Sequence, residues 1–217
     1  MAAAGFLGNT TFEYLGVSEN GKARHVLEFF ANYPELIVIE ASLMANPCYV
    51  ICRLSETLNV EGRDLRNRFA VGFLFWTGVR LNEFLTARRK DVDLITRTFN
   101  VPTLKQKRGR IVYRPIPLTH VPSMELKLWE NYFEACGVKK GDRLLLVSDR
   151  QVERIVKKVL GEGFTPHSLR HGLGLWLYEY TKDIRVVAQV LRHTNISNTL
   201  IYTRLSLDAI RDKLKIW

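Results

Sequence analysis

Residues 165–203 read TPHSLRHGLGLWLYEYTKDIRVVAQVLRHTNISNTLIYT. Apolar residues recur here at helical spacing, which predicts helices over 166–180, 184–192 and 197–215. Thr165-Pro166 opens the first, because a threonine hydroxyl accepts from the free N–H groups of a helix start and proline suits the first helical position. His167 and Arg170 stand three residues apart in its first turns, on one face. A helix N-terminus already attracts anions, so an imidazole and a guanidinium placed there make a seat for phosphate. His193 closes the second helix, where a histidine often serves only as a cap, and Tyr202 follows among apolar residues. His171 is read as structural, pointing elsewhere on the helix.

Working upstream, Leu65, Phe69, Phe73, Leu74 and Trp76 predict a buried helix over 64–77 that closes at Thr77-Gly78. A second helix over 79–87 carries Arg80 and Glu83. An arginine here, joined by Arg170, would let two planar forks hold the non-bridging oxygens of one phosphate, with Glu83 orienting the first fork. Residues 92–100 and 110–118 alternate and are rich in β-branched side chains, and a basic turn containing Gly109 lies between them. They predict a small antiparallel sheet with a cationic hairpin tip. Further helices are expected over 123–136 and 149–160. Residues 1–60 are less regular, with Gly5, Gly8, Gly16 and Gly21 in a loose start and short helices expected over 23–30, 34–44 and 49–58. The fold class is mainly α with a small antiparallel β-sheet (α+β).

The chain of 217 residues is long enough for a sizeable core, and its 47% hydrophobic and 25% charged residues are ordinary for a globular protein. The charge balance is not ordinary. Thirty-two Lys and Arg against 22 Asp and Glu give +10, and the isoelectric point is near 9.7. A surplus of this sign favours a polyanion such as DNA or RNA. Cys48, Cys52 and Cys136 form no disulfide framework, and no second pair of metal ligands accompanies the first two, so a reducing cytoplasm and no metal are expected. The start lacks the basic and apolar regions of a signal peptide, and the apolar run at 71–76 is too short to span a membrane.

Lys105 and Lys107 sit where a mobile hairpin would carry a proton donor into a groove; the other role open to such lysines is phosphate steering. Each motif alone matches freely. The ordered set Arg80, Lys105, His167, Arg170, His193 and Tyr202 contains every part required to break and rejoin a nucleic-acid strand through a tyrosine.

Four segments carry a family likeness: TGVRLNEFLTARRKDVD (77–93), TLKQKRGRIVYRPIPL (103–118), PHSLRHGLGLWLYE (166–179) and VVAQVLRHTNISNTLIYTRLS (186–206). Together they resemble the catalytic signature of the tyrosine recombinase and integrase family over roughly residues 64–207. The resemblance implies a tyrosine recombinase catalytic-domain fold and a site-specific recombinase acting on double-stranded DNA without cofactor, metal or ATP. It implies that Tyr202 is the nucleophile, His167 the base, Arg80, Arg170 and His193 the charge stabilisers, and Lys105, or Lys107 with a longer hairpin, the acid. It also implies assembly as a dimer or tetramer on DNA. Type IB topoisomerases share much of this chemistry, and a DNA-binding regulator with a relic site is a further alternative. Arg192 stands where the family more often has glycine and is expected to add a phosphate contact. Residues 1–60 look too short for the family's helical core-binding domain, which leaves 61–217 as the catalytic domain. Its tail carries Leu207, Ile210, Leu214 and Trp217 at amphipathic spacing.

Overall fold

The computed structural model describes residues 47–105, 110–193 and 195–203. The helices expected over 23–30 and 34–44, the hairpin tip and the tail beyond residue 203 lie outside them. In chain order the elements are α1 (Pro47–Glu56), α2 (Gly62–Thr77), α3 (Leu81–Thr86), a 3-10 turn (Arg89–Asp91), β1 (Val92–Asp93), β2 (Thr98–Lys105) and β3 (Arg110–Pro117). After the sheet come α4 (Ser123–Ala135), α5 (Asp149–Leu160), α6 (Pro166–Thr181), α7 (Ile184–Leu191) and a 3-10 segment (Ile196–Thr203). Among the described residues the architecture is mainly helical with a small antiparallel sheet, as the sequence predicts, and the sheet has three strands in the order β1-β2-β3.

α2 is the central post, packed by α4, α5 and α6. Its aromatic residues account for this position. Phe69 stacks on Tyr132 of α4 at 4.1 Å, and Phe73 meets both Phe84 of α3 and Phe99 of β2. Each fully buried phenylalanine contributes about 1.5–3 kcal/mol through removal of apolar surface from water. Beneath them lies a buried ion pair: Arg68 of α2 grips Glu125 of α4 through two bonds, at 2.9 and 2.5 Å.

Two expectations fail locally. The alternating run 92–100 predicts one strand, yet the chain reverses within it. Asp93 Oδ1 accepts from the backbone N–H groups of Ile95 and Thr96 at 2.9 and 3.0 Å, and Arg97 takes a φ of 49°. A short carboxylate that captures its own backbone competes with the ladder, so β1 folds back on β2 with Val92 opposite Phe99. The helix expected from 197 begins instead as the tighter 3-10 segment. Asn195 accounts for this start, its carbonyl accepting from Asn198 N–H and its side chain from Ser197 N–H. Among the described residues no helix is long and apolar enough to cross a membrane.

Candidate active site

Two turns prepare the site. α2 ends at Gly78, whose left-handed φ of 57° lets its N–H close on the Leu74 carbonyl at 3.0 Å. A Cβ at that position would come within 2.8 Å of the side chains of Leu173 and Leu191, so bare backbone is needed where α6 and α7 close over it. Two residues on, Arg80 is the N-cap of α3. Glu83 accepts the Arg80 backbone N–H at 2.8 Å and its guanidinium at 3.2 Å, which orients the fork as the sequence predicts and leaves the Arg80 side chain 51% exposed.

Glu83 also holds a partner the sequence reading assigned elsewhere. Arg192 donates to Glu83 Oε2 at 2.7 Å, with both side chains buried. The expectation that Arg192 contacts phosphate is therefore corrected. Arg192 closes α7 in the left-handed conformation, φ 55°, and sends its side chain inward. Burial alone would raise the Glu83 carboxyl, but the Arg192 guanidinium and the Arg80 backbone N–H and charge outweigh it and hold Glu83 below its usual range.

α6 begins as predicted, with Thr165 Oγ1 accepting Ser168 N–H at 3.1 Å and Pro166 in the first position. Arg170 turns inward from its second turn and is buried. It donates to the carbonyls of Gly78 and Leu191, at the C-terminal ends of α2 and α7. Those ends offer free carbonyls and the negative pole of a helix dipole, which hold a guanidinium without cancelling its charge. Burial, aided by the nearby Arg80 and Arg192 cations, brings Arg170 down to about 10. Arg80, His167 and Arg170 line one pocket of about 320 Å³ with Thr165 and Glu153.

His193 follows α7 and joins Thr199 Oγ1 at 2.8 Å through Nδ1. Burial, then Arg170, Arg80 and Arg192, lower its pKa to about 4. Tyr202 is buried, and its ring lies against α6 where a Cβ on Gly174 would come within 2.5 Å of Cζ. Its hydroxyl is 2.8 Å from His171 Nδ1, and His171 Nε2 is in turn 2.8 Å from His167 Nε2. His171 is thus the imidazole that meets the tyrosine, contrary to its reading as structural. The signal was available: His167 and His171 are four residues apart and share a helix face.

Burial outweighs the neighbouring cation at the phenol in this arrangement. Burial pushes the Tyr202 hydroxyl up to about 12 against the opposing pull of Arg170. All three imidazoles have lowered pKa values. His171 lies at about 4 through burial and the neighbouring His167, Arg170 and His193, and burial with Arg170 and Arg80 lowers His167. Lys105 is the last residue of β2, opposite Arg110; Lys107 lies outside the described residues.

Residues 49–208 match the phage integrase family, a span that contains all six residues of the predicted set. The chain is 31% identical over 152 residues to "Tyrosine recombinase XerA" of Thermococcus kodakarensis, covering 67% of this chain and 53% of that protein. Against "Tyrosine recombinase XerC" of Staphylococcus carnosus it is 30% identical over 170 residues, covering 73% and 56%. The chain thus spans little more than half the length of these curated relatives. Among solved structures, the XerA recombinase superposes with a TM-score of 0.58 at 25% identity, covering 79% of this chain and 62% of that one. The XerH site-specific recombinase bound to its difH substrate superposes with a TM-score of 0.59 at 20% identity, covering 81% and 53%, and shares the fold. From the family match over most of its length, this chain belongs to the phage integrase family.

Proposed function

We propose that this chain cleaves and rejoins DNA strands by transesterification, with Tyr202 as the nucleophile, as the catalytic unit of a site-specific recombinase. The observation that carries the reading is the shared pocket of Arg80, His167 and Arg170, with Tyr202 tied to the same helix one turn away. In this scheme a scissile phosphate enters the pocket, and Arg80 and Arg170 stabilise charge on its non-bridging oxygens. His193 adds a hydrogen bond, His167 is the base that receives the phenolic proton, and Lys105 protonates the departing 5′ oxygen. Tyr202 Oη bonds to phosphorus as the P–O5′ bond breaks, leaving a 3′-phosphotyrosyl link and a free 5′ hydroxyl.

One phosphodiester is exchanged for another of similar energy, so the scheme calls for no ATP, and guanidinium groups take the charge-stabilising place a divalent ion holds elsewhere. Double-stranded DNA is the proposed substrate and a homo-oligomer on DNA the proposed assembly. Residues 61–217 are the proposed catalytic domain. Support for DNA comes from the +10 charge and from structural neighbours solved in complex with DNA, among them XerH with difH and the Tn1549 integrase with transposon right-end DNA.

The test is covalent capture on a pool of nicked suicide duplexes, in EDTA. The wild-type chain should form a protein–DNA adduct and Tyr202→Phe none, with binding nearly unchanged. Adduct formed by Tyr202→Phe would refute the assignment. Plasmid relaxation without any site-specific product would point instead to topoisomerase-like chemistry.

A further inference from the structure

The three side chains Tyr202, His171 and His167 form a chain of contacts in which each heavy-atom separation is 2.8 Å. Only one arrangement of protons lets the phenol act as a donor. Tyr202 O–H donates to His171 Nδ1, His171 Nε2–H donates to His167 Nε2, and His167 carries its own proton on Nδ1. The order in space therefore differs from the order of roles. The exposed imidazole at the rim of the pocket is His167, and the half-buried one touching the nucleophile is His171.

We propose that His171 is a catalytic residue of the strand-cleavage reaction, relaying the proton of Tyr202 to His167. The proposal rests on the transesterification reading above. As Tyr202 Oη bonds to phosphorus, its proton passes to His171 Nδ1, and the proton already on His171 Nε2 passes to His167 Nε2. His171 ends neutral in its other tautomer and His167 ends as imidazolium. The leaving 5′ oxygen takes its proton from Lys105. Rejoining runs the same transfers backwards, so no proton is created or lost within the pair of steps.

Two features of the surroundings favour the relay. His171 is faced by Tyr202 from the 3-10 segment, by His193 from the loop after α7, and by His167 and Arg170 from its own helix. Burial and these neighbours bring its pKa to about 4, so at neutral pH the ring is neutral, and in the tautomer that accepts from Tyr202 the lone pair is on Nδ1. An imidazole that cannot keep a positive charge passes a proton on and does not store it. His167, at the pocket rim, is better placed to carry the charge once a phosphate dianion-like transition state lies beside it.

The experiment compares wild type, His171→Gln and His171→Ala as full chains, measuring single-turnover adduct formation on the same pool of nicked duplexes across pH. Glutamine can hydrogen-bond to Tyr202 but cannot pass a proton through its side chain. Both variants should cleave about 100-fold more slowly at neutral pH, the scale of a lost proton-transfer partner. Their rates should climb about tenfold per pH unit as hydroxide substitutes for the relay, while the wild-type profile stays flat over the same interval. Added imidazole should accelerate His171→Ala. A His171→Gln rate and profile equal to wild type would overturn the relay and leave His171 a positioning residue. Adduct absent even from wild type would instead overturn the transesterification reading, and the relay with it. If His171→Ala proves unfolded by circular dichroism, His171→Gln alone decides.

Discussion

Arg68 and Arg170 are both arginines buried in the helical core, yet they are held in opposite ways. Arg68 gives two donors to Glu125 and two to the Leu54 carbonyl, and Glu125 is further fixed by Trp129 Nε1 at 2.7 Å. Its charge is met by a carboxylate at bonding distance. Arg170 is bonded instead to two carbonyls at helix ends, and its pKa is pulled down by burial and by two other arginines. A guanidinium neutralised by a bonded carboxylate ties two helices together. One seated on dipoles keeps a charge that an incoming anion can satisfy. The same residue type thus serves architecture in the body of α2 and, in the proposed scheme, chemistry at its C-terminal end.

Breaking the first seat should produce the largest change. Arg68→Met leaves Glu125 buried without its partner, and chemical denaturation should show a loss of about 3–5 kcal/mol. Adduct formation per folded molecule should be unaltered, and a drop in that rate would erase the distinction between the seats. Arg170→Lys should do the reverse, because a point charge cannot span two carbonyls and a phosphate as the fork does. Cleavage should fall about 100- to 1000-fold, the scale of a lost charge-stabilising donor. A near-normal rate would contradict the two-fork scheme.

Gly72→Ala probes the first seat more gently. A Cβ there would collide with Glu125 Oε1 and Arg68 Nη1, and overpacking of this kind costs about 1–3 kcal/mol, again readable by denaturant titration. A further effect is pH-dependent and belongs to the second seat. His171 and His193 have folded pKa values of about 4, below the ordinary histidine value of about 6.5. The unfolded chain therefore takes up protons that the folded chain refuses, and stability present above about pH 6.5 is lost as pH falls toward about 4. The denaturation midpoint should drop over that window, and His193→Gln should flatten the drop. A midpoint insensitive to that variant would remove His193 from the account.

Elements are legible in the sequence where their cause is local. The Thr165-Pro166 start of α6, the Thr77-Gly78 stop of α2 and the Asp149 start of α5 depend on a few adjacent residues. The single strand expected over 92–100 failed because Asp93 offers its own backbone an alternative that alternation does not register. Arg80, His167 and Arg170 were legible as a set, and the structure brings them to one pocket. The inward course of Arg192 was not legible, since it depends on Glu83 from an element far away in the chain. Nor was the raised Tyr202 hydroxyl, whose burial against Gly174 is a matter of packing between segments.

The turn at Gly78 has a consequence for how the two forks keep their spacing. Its carbonyl anchors Arg170, and the chain reaches Arg80 two residues later. The gap between the guanidinium groups is thereby gauged over a few backbone bonds instead of across the whole domain. When the helices breathe, the two groups ride on the same short piece of chain, like jaws on one pivot. A phosphate caught between them would meet a bite set by that turn together with the Leu191 carbonyl, which holds the other side of the Arg170 fork.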